Sequence, residues 1–146
     1  MARTARGKGI KWQGGGLEAL GEKIGNIQAE TVDAVADVMR DEMANAAALQ
    51  VQILREATTP FGEKRFAKGR GNGPGRDDTG NMIDMVEHDV RVDGNTVIGE
   101  WGWDDPDRYI MIQEHGLARM DAANSLAGSF IPTRESVRAS LKRAVL

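Results

Sequence analysis

The sequence predicts an α+β fold in which a long N-terminal helix packs on a small, mostly antiparallel sheet and a C-terminal helix completes the domain. Three observations predict it. Apolar residues return at helical spacing from Leu17 to Ala57. Two extended runs flank the turn signal Asp93-Gly94-Asn95. Thr133 to Val145 carries an acid in its first turn, bases in its last and an apolar side. The 146 residues, 40% of them apolar, suit one domain with a modest core. The expected organisation is a flexible basic arm over residues 1–16 and one domain over 17–146, with a long basic loop at 58–78.

The arm holds Arg3, Arg6, Lys8 and Lys11 and no acid. It offers at most a short strand at Ile10 to Trp12, because Gly14-Gly15-Gly16 loses much entropy in any regular structure. The first helical stripe then runs through Leu17, Leu20, Ile24, Ile27, Val35, Val38, Met39, Met43, Ala46, Leu49, Ile53 and Leu54, with Glu30, Asp33, Asp37, Asp41 and Glu56 largely off it. Gly21 and Gly25 weaken its start, which predicts either a short helix followed by a long one or one helix with a loose beginning. From Ile27 to Ala57 alone such a helix spans roughly 45 Å. That exceeds what so small a core can cover, so it should lie across a sheet, a neighbouring subunit or both.

Pro60 ends this helix. Phe61 to Asp78 reads as a long loop rich in glycine and carrying Lys64, Arg65, Lys68, Arg70 and Arg76. Its GRGNGPGR run lacks the Gly-Lys-Ser/Thr ending and the preceding buried strand of a phosphate-binding loop. Thr79 to Ile83 forms a turn or a helical start. The hairpin follows, with strands at Met85 to Val92 and Thr96 to Trp103; Val86, Val90 and Val92 alternate in one, and Val97, Gly99, Trp101 and Trp103 in the other, so one face should be buried. Asp104-Asp105-Pro106-Asp107 makes a turn, and Tyr109 to Glu114 a short helix that Gly116 ends. Leu117 to Gly128 reads as a loop with some helical character, and Ser129-Phe130-Ile131 as a short strand before Pro132.

Composition narrows the function. Without cysteine there is no disulfide framework, cysteine zinc site or thiol nucleophile, which agrees with a reducing compartment. No run approaches the ~20 apolar residues that cross a bilayer, and no apolar segment follows the charged start, so neither membrane insertion nor secretion is expected. The net charge of -3 conceals basic patches at the arm and the loop and an acidic stretch from Glu18 to Glu56. The patches are either solvated surface or faces that meet nucleic acid or an acidic partner.

Chemistry has little support in the pattern. Glu87-His88 and Glu114-His115 are adjacent pairs, which diverge on either a strand or a helix. A small metal-dependent enzyme would need His88 and His115 to converge with Glu114 or Asp107, and no His-x-x-x-His spacing is present. Ser125, Ser129, Ser136 and Ser140 lie in no Gly-x-Ser-x-Gly elbow, and the aspartates at 77, 78, 104, 105 and 107 suit turns. Trp101 and Trp103 share a strand face that fits packing better than base stacking. No catalytic residue, metal or cofactor is expected.

Taken in order, these pieces resemble the small neck and tail-completion proteins of long-tailed bacteriophages, a family of head-to-tail connector or minor tail components. The resemblance covers residues 17–146. It rests on the long helix, Thr79-Gly80 followed by Met82, a hairpin closing on Gly99, the spacing of Tyr109, Glu114 and Gly116, Phe130-Ile131-Pro132, and the C-terminal helix. Thr133 and Arg134 stand where members often carry a second proline and an alanine, and the loop over 61–76 is longer than usual. The resemblance implies a virion protein without an active site, assembled in the host cytoplasm into a hexameric ring. That ring would complete the head-proximal end of the tail or act as an adaptor above it, meet the head-closure connector and the tail tube protein, and leave a channel for DNA. Arg3, Arg6, Lys8, Lys11, Lys64, Arg65, Lys68, Arg70 and Arg76 become candidates for docking between subunits and rings or for lining the channel. Glu114 is expected to bond backbone or a basic residue, His115 to serve packing or an interface, and the face holding Tyr109 and Ile112 to pack on the hairpin. The alternatives are a nucleic-acid-binding module using the same basic residues and, after it, the small metal-dependent enzyme.

Overall fold

Helix α1 runs unbroken from Gly16 to Glu56, so Gly21 and Gly25 lower its stability without dividing it. The computed structural model describes residues 16–56, 58–76, 80–106, 108–116 and 122–145. The basic arm, including Arg3, Arg6, Lys8 and Lys11, therefore lies outside the described residues, as do Thr79 and Asp107. The 41 residues of α1 rise about 60 Å. Among its described side chains burial begins at Ala36 and includes Met43, Ala46, Ala47 and Leu54, whereas every side chain from Leu20 to Thr31 is exposed.

The segment expected as one long loop opens with a short helix, α2, at Pro60–Phe66. The local chemistry explains the correction. Pro60 cannot continue α1, but at the first helical position its missing N–H is no loss. Thr59, with extended backbone, caps the new helix by accepting the Gly62 N–H at 3.0 Å through its hydroxyl. Helix α3, Asn81–Asp84, follows Gly80, whose φ of 86° favours glycine. Strands β1 (Glu87–Asp93) and β2 (Thr96–Gly102) then form a two-stranded antiparallel sheet with Val90 opposite Gly99. The turn itself is Gly94-Asn95, since Asp93 pairs with Thr96. Helices α4 (Arg108–His115) and α5 (Ser125–Val145) complete the chain.

Helix α1 packs against both strands and against α5. Gly99 is the point of closest approach to the sheet: a Cβ there would lie 2.5 Å from Met39 Cε and 2.8 Å from Met43 Cγ. Replacing Gly99 by valine should therefore lever the hairpin from α1 and cost about 1–3 kcal/mol. Urea unfolding checks this, and a midpoint equal to wild type would show that the methionines absorb the added volume. Leu54, Met82, Ile83, Ile110 and Ala123 form the main apolar cluster, with Val51, Val86 and Trp103 against it. Burying a side chain such as Leu54 contributes about 1.5–3 kcal/mol.

Two further expectations are corrected. Only Val90 of β1 is even half-buried, and Val92 is exposed, because among the described residues the sheet has two strands and α1 covers little of the first. Ser129-Phe130-Ile131 is helical, and Pro132 lies inside α5. Proline leaves the Gly128 carbonyl without its helical N–H partner, yet contacts on the other side of the helix sustain it. Ser125, Ser129 and Thr133 recur every fourth residue and are buried. Their small side chains bring α5 close to α1, where Ser140 donates to Glu42 at 2.6 Å and a Cβ on Gly128 would lie 3.0 Å from Ile53.

Candidate functional site

The conspicuous stretch Arg108 to Gly116 forms α4 and its exit, and its acid has a structural task. Glu114 is buried. Its Oε2 accepts the Ser125 backbone N–H at 3.0 Å and the Ser125 hydroxyl at 2.7 Å, while Oε1 accepts the Leu126 N–H at 2.8 Å. The first N–H groups of a helix have no partner within it, and the peptide dipoles favour negative charge there. Glu114 thus caps α5 from another helix. The backbone reinforces the join, because Ala123 and Asn124 donate to the carbonyls of Gln113 and Glu114 at 2.8 and 3.1 Å.

Gln50 of α1, fully buried, donates to the Ser125 hydroxyl at 3.3 Å. Three helices therefore meet at one polar knot. The expectation that Glu114 bonds backbone agrees with this geometry; the packing expectation for its neighbours does not. The side of α4 that faces the core carries Ile110 and Glu114, four residues apart, whereas Tyr109 is exposed and Ile112 only half-buried. His115 is exposed, and Gly116 turns the chain at φ 75°, its N–H bonded to the Ile112 carbonyl at 2.7 Å.

The loop bases divide into two groups. Arg65 folds back on its own loop, donating to the carbonyls of Gly73 at 2.7 Å, Gly75 at 3.3 Å and Arg70 at 3.4 Å. Arg76 donates to Gln113 Oε1 at 2.7 Å, and its backbone N–H reaches the Leu54 carbonyl at 2.9 Å. Arg65 thus braces the loop on itself, and Arg76 holds it to the end of α1 and to α4. Lys64, Lys68 and Arg70 are exposed. No three His, Asp or Glu side chains among the described residues are placed to hold a metal ion, and no described helix is long and apolar enough to cross a membrane.

An open depression of about 460 Å³ lies along the hairpin between Glu87, His88, Asp89, Glu100, Trp101 and Asp104. Trp101 of β2 and Trp103 just beyond it are committed to packing. Trp101 stacks on Phe130 with ring centres 6.2 Å apart and donates to Ser129 at 3.1 Å, and Trp103 donates to the Met82 carbonyl at 2.8 Å. Phe130 itself and Pro132 remain exposed.

Gln50, Ser125 and Ser129 were not expected as organising residues. The usable signals were the four-residue recurrence of Ser125, Ser129 and Thr133 and a glutamine set among the apolar positions of α1. Among known proteins, the chain matches no family model, no curated protein and no solved structure.

Proposed function

We propose that the chain is a structural subunit of the neck of a long-tailed bacteriophage. In this role it forms a hexameric ring that completes the head-proximal end of the tail, joins it to the connector and leaves an axial channel for DNA. The supporting observation is the N-terminal part of α1. It projects Leu20, Ile24 and Ile27 into solvent with more than two fifths of each side chain exposed, at a spacing that makes one apolar stripe. An apolar helical face left uncovered in one chain is what a subunit interface supplies. Buried Glu114 and half-buried Arg65 and Arg76 hold the frame at the other end of α1.

Negative-stain microscopy and analytical ultracentrifugation of the purified protein, with and without purified tails, test this proposal. Rings that form with rising concentration and seat on tail ends are the expected result. A protein that stays monomeric and binds no tail would overturn it. Exposed Lys64, Lys68 and Arg70 favour nucleic-acid binding as the second possibility, which requires affinity for duplex DNA that falls steeply with salt.

A further inference from the structure

Two surfaces of opposite charge lie at opposite ends of α1. Over residues 16–37 five acids stand against one base. The apolar stripe lies here, with Leu20 exposed by 45%, Ile24 by 55% and Ile27 by 57%. Glu30, three residues beyond Ile27, borders it, and Asp33 follows at the same spacing. Over residues 60–76 the balance is inverted, with five bases against one acid. On this side Phe61 is 75% exposed, the largest value among the exposed large apolar residues described, and Phe66 is exposed with it. Lys64, Lys68 and Arg70 are exposed in the same short segment.

One chain cannot bring these surfaces together. The loop is fastened to the Leu54 carbonyl through Arg76, and from Ile27 to Leu54 the helix rises about 40 Å. That is several times the ~8–10 Å over which exposed charges act on each other in physiological salt. We infer that the exposed stripe of α1 docks on the α2 surface of a second copy of the chain, head to tail. Charge decides the occupant. Pairing the stripe with itself, in either direction, would set two tips of five acids and one base against each other, and like charges juxtaposed across an interface repel. Pairing it with α2 sets acids against Lys64, Lys68 and Arg70 while the stripe meets Phe61 and Phe66. Opposite potentials then fix direction and register, and the apolar contact holds the pair.

A contact between two different faces is heterologous, so its repetition closes a ring or continues as a filament. The inference rests on the ring assembly proposed above and adds which faces meet and in what sense.

Two exposed-surface variants test it: E22K/E30K/D33K, whose tip becomes basic, and K64E/K68E/R70E, whose loop becomes acidic. Each alone sets like charges on both faces of every contact. Sedimentation velocity should show association weakened at least tenfold for each, with far-UV circular dichroism unchanged. The equimolar mixture should assemble again, because basic tips then meet acidic loops and acidic tips meet basic loops in alternation. Should a triple variant not fold, E30K and K68E are compared in the same way.

If wild type assembles and K64E/K68E/R70E assembles equally well by itself, the docking inference is overturned and the ring proposal stands. Failure of the mixture to recover, with both variants folded, also overturns it. A wild-type protein that is monomeric at every concentration overturns both. R134E/R138E/K142E, which inverts the basic side of α5, should leave association within about twofold; disruption by that variant alone would move the acceptor face to α5.

Discussion

Replacing Glu114 by alanine is expected to remove about 2–4 kcal/mol of folding stability, the largest effect of any single polar substitution among the described residues. The carboxylate accepts three donors at the start of α5, two of them backbone N–H groups. Alanine leaves those donors buried without acceptors, and an unmet buried donor costs about 1–3 kcal/mol. Gln50 would also face a Ser125 hydroxyl that had lost its acceptor. The unfolding midpoint should fall by roughly 5–15 °C for a chain of this size. Glutamine at 114 should recover only part of the loss, since its amide presents one acceptor oxygen where two are used. Thermal unfolding followed at 222 nm measures both, with the exposed Glu135→Ala as control. A Glu114→Ala midpoint within about 1 °C of wild type would show that α5 begins without this cap.

Gly75→Ala should have a comparable effect by a different route. A Cβ at position 75 would lie 2.3 Å from the Arg55 carbonyl oxygen and 2.6 Å from that of Leu54. Both are backbone atoms of α1, so no side chain can turn aside. The loop must withdraw, and with it goes the bond from the Arg76 N–H to the Leu54 carbonyl. The expected loss is about 2–3 kcal/mol, within the range for overfilled packed sites. Undocking should also speed tryptic cleavage after Lys64, Lys68 and Arg70, which limited proteolysis with mass spectrometry resolves. Unchanged cleavage together with unchanged stability would mean that the loop is not held at this point. Gly62 faces the same segment from the other side, a Cβ there falling 2.2 Å from the Pro74 carbonyl oxygen.

How much of this was legible in the sequence depends on the range of the interaction. Helix α1 and the hairpin announce themselves because their patterns are local: a stripe repeated along one helix, and alternating residues around Asp93-Gly94. Helix α4 was read almost to its ends because Gly116 marks its exit. Helix α5 was misjudged at its start, where Phe130-Ile131-Pro132 locally favours an extended run. A carboxylate eleven residues away and a glutamine seventy-five residues away settle that start, and neither is visible in a short window. The loop arginines are a similar case. Lys64, Arg65, Lys68, Arg70 and Arg76 look equivalent in sequence, yet Arg65 and Arg76 are engaged within the fold and the other three face solvent. Within the candidate site, the role of Glu114 was anticipated in kind, but its partners were not.

The two glycines in the projecting part of α1 have a mechanical consequence. Among the described residues nothing lies within 4 Å of where a Cβ would stand on Gly21 or Gly25, so no described contact calls for glycine at either position. Each weakens the helix by about 1 kcal/mol relative to alanine, and they sit one turn apart beside the apolar stripe. A rod of this length behaves as a lever: a few degrees of bend near its base displace the tip by several ångströms. Placing the compliance at the tip confines that motion to the last turns and leaves the base stiff. In the assembly proposed above, a rigid frame would thereby carry a yielding end that adjusts to the second copy without transmitting strain to the core.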